Sequence, residues 1–224
     1  MSLRVGFHVE GTDVLILCAL LERLLGLERN DVEPVPIQAR PITQGCADLV
    51  KLVPEALSVF RKAAVAAAVL AMDNDGDIDL RLTGSPEDYA HPRHWNHTGV
   101  RASQCRFCQL THAVAAATAV NSELAFAPAI IAVPTEMIEA WLLVAAGLDK
   151  KGSGDLEAEQ MPKRDLKPAF YGCQRATQKR VREHALPLLA RLTDVEAISQ
   201  HSRSFALFAE QVDGARATIL ACVT

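Results

Sequence analysis

The chain of 224 residues and 24.3 kDa suits one domain of ordinary size with room for a small subdomain. Hydrophobic residues make up 50% and charged residues 22%, which excludes global disorder. The formal charge of −4 excludes a polycationic nucleic-acid binder, so any contact with phosphate must be local or metal-mediated. Arg4, Glu10 and Asp13 interrupt the N-terminus and argue against a secretory signal. The apolar stretch Ala113–Val120 is too short to span a bilayer, so no membrane partner is expected. Apart from Cys105 and Cys108, the six cysteines are scattered, which points to a reducing cytoplasm with thiols or a metal site instead of disulfides.

Leu3–Val9 is short, apolar and rich in β-formers, and predicts a buried strand. A turn over Glu10–Asp13 follows, with Thr12 or Asp13 as the expected N-cap of a helix over Val14–Leu27. A second strand is expected over Val35–Ala39, and a helix over Ala47–Lys62 that Pro54 breaks or restarts. Ala64–Met72 fits helix or buried strand by periodicity alone, and the polar burst Asp73–Asp79 favours a strand ending there. Residues 80–103 form a polar, His-rich connection too long for an ordinary loop. Beyond it come a helix over Gln104–Leu124, a strand over Pro128–Val133 and a helix over Pro134–Ala146. Gly147–Gly154 predicts a flexible joint, and small helices are expected over Asp165–Phe170, Thr177–Leu192, Asp194–His201 and Ser202–Val212.

Strands alternating with helices imply a parallel α/β sheet of about four strands, with its site at the strands' carboxyl ends. That edge gathers Glu10, the run Asp73–Asp79 and the start of the 134–146 helix. Asp73, Asp75, Asp77 and Asp79 repel one another, and a divalent cation relieves the repulsion most simply. Carboxylates are hard ligands suited to Mg²⁺ or Mn²⁺, and alternate residues of an extended stretch point the same way. A solvated acidic turn is the plain alternative. An EF-hand is excluded, because the required glutamate position is Gly84 and an apolar strand precedes the run.

Strand-Glu10-Gly11-x-Asp13-helix, followed by a strand ending in Asp73-x-Asp75, resembles the TOPRIM domain of topoisomerases, primases and OLD-family nucleases. Val133-Pro-Thr-Glu-Met-Ile-Glu139-Ala-Trp141 and Ser202-Arg-Ser-Phe205-Ala-Leu-Phe208 resemble the small stand-alone TOPRIM-like proteins related to RloB. The resemblance implies a Rossmannoid fold and Mg²⁺-dependent phosphodiester chemistry. Glu10 would be the general acid/base at the metal, and Asp73 and Asp75 would hold the ion, with Asp77 fitting the longer form of the motif. It also implies a defence role alongside a partner ATPase. Neither Tyr89 nor Tyr171 sits in a recognisable nucleophile context, so hydrolysis is expected over strand passage. Glu136 and Glu139 share a helix face. The resemblance favours Glu139 as a further catalytic residue, against simple complementation of the helix dipole, and Trp141 reads as core.

His91, His94, His97, Cys105, Cys108 and His112 concentrate imidazoles and the C-x-x-C. His94, His97, Cys105 and Cys108 form a closed set for a structural Zn²⁺ stapling an insertion at about 80–112, with His91 or His112 as alternates. The alternative makes both cysteines small buried hydrophobes. From Lys163 to Arg191, eight bases face two acids. Lys163, Lys167, Lys179 and Arg180 are the candidates for binding nucleic acid. No P-loop or glycine-rich phosphate loop is present.

The expectation is a TOPRIM-like domain over 1–150 with a helical C-terminal appendage over 151–224. Its expected activity is metal-dependent cleavage of nucleic acid. The alternatives are a non-catalytic, zinc-stapled binding subunit of nucleic acid or protein, and a TOPRIM nucleotidyltransferase.

Overall fold

The structure, a computed structural model, describes residues 2–9, 13–37, 46–73, 105–134, 137–147, 163–175 and 177–222. Among them β1 (Leu3–Val9), β2 (Val32–Pro36), β3 (Ala67–Ala71) and β4 (Ala129–Ala132) form a parallel sheet in the order β2-β1-β3-β4. Side chains alternate cleanly between the two faces. Leu3, Val5, Phe7 and Val9 of β1, Val69 of β3 and Ile130 of β4 point to one core. Leu70 of β3 and Ile131 of β4 point to the other. Burial on both faces is why β3 reads as an unbroken apolar run instead of an alternating one.

The first core is covered by α1 (Val14–Leu25), α5 (Ile138–Ala145), α6 (Lys163–Tyr171) and the C-terminal helices. The second is covered by α2 (Cys46–Lys51), α3 (Val53–Lys62) and α4 (Arg106–Val120). Beyond α6 the chain is helical over Gln178–Arg180, π-helical over Val181–Ala185 and α-helical again over Leu186–Arg191, one run termed α7. The wider π turns relieve Pro187, whose ring would clash with the carbonyl of Glu183 in an unbroken α-helix. Then come α8 (Glu196–His201) and α9 (Arg203–Leu220).

Several boundaries differ from the sequence reading, each for a local reason. α1 stops at Leu25 because Gly26 takes a left-handed φ of 71° and the Leu27 N–H turns back to the Glu22 carbonyl. Asp13 already has helical backbone angles and does not cap α1. β2 begins at Val32, earlier than Val35, since pairing with β1 selects the register. The chain between Lys51 and Val53 breaks at Leu52, as Pro54 has no N–H for the Val50 carbonyl. α5 starts at Ile138 behind an extended Met137, not at Pro134. α9 runs eight residues past Val212, because it packs along β4 and α1.

Both sheet edges are closed by side-chain chemistry. On β2 the register turns the N–H groups of positions 32, 34 and 36 outward. Val32 N–H donates to Glu22 Oε1 at 3.2 Å, and Pro34 and Pro36 have no N–H to offer. On β4, Gln211 of α9 acts as a short imitation strand. Ile131 N–H donates to its Oε1 at 3.0 Å, and its Nε2 donates to the Ile131 carbonyl at 2.9 Å.

Gly6 of β1 lies under the ring of Phe60 from α3, and a Cβ there would fall inside van der Waals contact with Cγ and Cδ1. Gly6→Ala is expected to cost about 1–3 kcal/mol of unfolding free energy by overpacking. Urea denaturation of Gly6→Ala and of Gly6→Ala with Phe60→Leu checks this; the second change should return part of the loss.

Candidate functional site

Val9 pairs with Ala71 in the parallel β1–β3 ladder, so the chain leaves both strands side by side at their carboxyl ends. Asp73 lies two residues beyond Ala71 and is 9% exposed. β4 is the next strand over, and α5, which follows it, carries Glu139 in its first turn at 2% exposure. Asp13 sits at the start of α1, after β1. The segments that carry Asp13, Asp73 and Glu139 therefore follow strands that end at the same edge of the sheet. Glu10, Asp75, Asp77 and Asp79 lie outside the described residues.

α5 is held in place by a buried aromatic cluster. Trp141 stacks on Phe208 at 5.5 Å between ring centroids and meets the edge of Phe205 at 5.2 Å. Its indole Nε1–H donates to Ser204 Oγ at 2.8 Å, and Ser202 caps α9 by accepting from Phe205 N–H at 3.1 Å. The Glu139-Ala-Trp141 and Ser202–Phe208 stretches, far apart in sequence, thus pack on one another. Trp141 is core, and it fixes the helix from which Glu139 projects.

Tyr171, at the end of α6, joins this edge to the basic helix. Its side chain is 3% exposed, and its hydroxyl is buried without a hydrogen-bond partner. Burial is the main cause that pushes its phenol well above the usual range, followed by the charges of Glu139, Asp13 and Cys173. On the other side its ring meets the edge of His184 at 6.3 Å. Arg180 Nη1 donates to His184 Nε2 at 3.2 Å. A guanidinium only donates, so Nε2 is the accepting atom of this contact. The sequence carried no signal for Tyr171, because nothing local to α6 announces the electrostatic influence of residues 13 and 139.

The basic candidates divide. Lys179 and Arg180 are exposed on α7, and Lys179 forms a 3.8 Å ion pair with Glu183. Lys167 is half-buried on α6, and Lys163 stands in the first turn of that helix. The thiol–imidazole candidates also divide. Cys105 and Cys108 are hydrogen-bonded neighbours, both buried in the core that also holds Leu49, Phe107 and Leu207, and burial pushes the Cys105 thiol up to about 12. His112 is exposed on the same helix, and His91, His94 and His97 lie outside the described residues. Among the described residues no three His, Cys, Asp or Glu side chains are grouped so as to hold a metal ion. No described helix is long and apolar enough to cross a membrane.

His8, next to the end of β1, was not legible as special. It is 1% exposed, its Nε2–H donates to the Leu49 carbonyl at 2.7 Å, and its Nδ1 is buried without a partner. Burial lowers its pKa from the ordinary 6.5, outweighing the opposing effects of the Leu49 carbonyl and Glu55. Below pH 6.5 the unfolded chain therefore binds the proton more readily than the folded one, and stability falls as pH falls. His8→Gln is expected to flatten this part of the profile. Urea midpoints between about pH 7 and pH 5 check it.

Comparison with known proteins finds no matching family model, no matching curated protein and no matching solved structure.

Proposed function

We infer that the chain is a divalent-metal-dependent phosphodiesterase acting on nucleic acid, with a TOPRIM-like site at the carboxyl edge of the sheet. The observation that carries this reading is the β1–β3 pairing, which brings the chain segments leading into Glu10 and Asp73 out of the sheet side by side. The contact from Tyr171 through His184 to Arg180 adds a basic helix beside the acidic edge.

The donor chemistry suits a hard cation. Asp73 and Glu139 are carboxylates withdrawn from water, and carboxylates are the oxygen donors that Mg²⁺ and Mn²⁺ prefer. Asp73, with Glu10, Asp75 and Asp77 of the adjoining segments, would hold Mg²⁺ or Mn²⁺. When bound, the ion supplies polarisation of a phosphoryl oxygen and neutralisation of developing charge. Glu10 would move a proton to or from the attacking or leaving oxygen. Glu139 would orient the phosphate-side groups from the opposite strand tip. Lys179 and Arg180, with Lys163 and Lys167, would draw the phosphate backbone toward this edge. A partner ATPase in a defence system would fit the same reading.

Glu10→Ala and Asp73→Ala are each expected to reduce cleavage of plasmid, linear DNA or RNA in Mg²⁺ or Mn²⁺ by about 10²-fold or more, within the range of a positioned acid–base group. Unchanged cleavage in both variants would reject the site. Conversion of labelled ATP to oligonucleotides, with no cleavage, would identify a nucleotidyltransferase.

A second reading is a binding subunit without catalysis. It is favoured by the exposed bases Lys179 and Arg180 of α7, which can hold a phosphate backbone without an ion. Salt-sensitive retention of DNA without cleavage would support it. In either reading the neighbouring thiols of Cys105 and Cys108 would contribute to a structural Zn²⁺ with two imidazoles of the 91–112 stretch. Elemental analysis of purified protein should give about one zinc per chain. Cys105→Ser with Cys108→Ser should lose it, and a zinc-free wild type would leave the pair as buried hydrophobes.

A further inference from the structure

A tyrosine in a core normally finds a partner for its hydroxyl, since a phenylalanine would pack as well without stranding a polar group. Tyr171 breaks this rule where it matters most. Its ring is anchored by edge contacts to Phe170 at 4.7 Å and His184 at 6.3 Å. Its hydroxyl is buried and unpartnered, and the charges of Glu139 and Asp13 reach it. α5, which carries Glu139, packs directly on α6, which ends in Tyr171. The hydroxyl is thus a buried donor and acceptor on a helix packed against the one that carries Glu139, with its hydrogen bonds unmade.

We propose that Tyr171 is a positioning residue of the acidic site, whose hydroxyl completes its hydrogen bonds with a hydrated divalent cation taken up beside Asp13 and Glu139. A phenol can donate to a carboxylate and at once accept from an ion-bound water, the linking role that groups behind metal ligands perform. Mg²⁺ and Mn²⁺ suit such a link because they retain waters when carboxylates bind them. The inference rests on the acidic edge being a cation site.

The test uses the full chain as wild type, Tyr171→Phe and Asp73→Asn, with Mn²⁺ alone as the probe. Free Mn²⁺ is measured by electron paramagnetic resonance, and melting temperature is recorded with and without the ion. Tyr171→Phe without metal should melt at or above the wild-type temperature, because it removes an unsatisfied group. Its Mn²⁺ dissociation constant should rise about tenfold, and its thermal stabilisation by Mn²⁺ should shrink accordingly. A second measurement does not need that variant. In a Tyr89→Phe background labelled with fluorotyrosine, Tyr171 is the sole tyrosine, and its fluorine resonance should shift on adding Mg²⁺. Equal Mn²⁺ affinity in wild type and Tyr171→Phe, or a resonance unmoved by saturating Mg²⁺, overturns the proposal while the acidic site stands. Failure of the wild type itself to bind Mn²⁺ overturns the cation site and this inference with it.

Discussion

The parallel pairing of β1 with β3 is the constraint on which the structure hangs. Each strand is buried on both faces, and together they form the centre of the sheet. Between them in sequence lie α1, β2 and the α2–α3 segment, so this contact closes a long loop that only packed helices can make worthwhile. Gly6 beneath Phe60 shows how closely α3 approaches β1 to accomplish this. Because both strands run the same way, they end together, and whatever follows them in sequence meets at one edge.

A second set of contacts decides what that edge can contain. The Trp141, Phe205, Phe208 and Ser204 cluster binds α5 to α9, and α9 in turn closes β4 through Gln211. Glu139 is withdrawn from water as a consequence, since the helix that carries it is buried along nearly its whole length. Buried polar groups follow the strands there: the carboxylate of Glu139, Asp73 after β3 and the phenol of Tyr171. The basic helix α7 touches the same place from outside through His184.

The legible part of this protein was its periodicity. The apolar run of β1, the acidic burst after β3 and the helical spacing of α1 and α3 are local signals, and the strands and helices form close to where those signals lie. Element ends were less legible, because caps and register decide them: Gly26 ends α1, and pairing with β1 pulls β2 toward Val32. The second half of α9 was invisible as such, since its length follows from the surface it covers. Trp141 read as core on size and apolarity alone, and it is core.

By itself the sequence determined an alternating α/β chain, a central sheet of parallel strands and acids placed just beyond apolar runs, because hydrophobic spacing and turn chemistry act over a few residues. Only the tertiary structure decided that Asp13, Glu139 and Tyr171 share one neighbourhood. It alone decided that His8 is locked against Leu49 and that Cys108 turns inward while His112 on the same helix faces water. Those outcomes depend on strand order and helix docking, which join residues more than a hundred positions apart and leave no periodic trace in the chain.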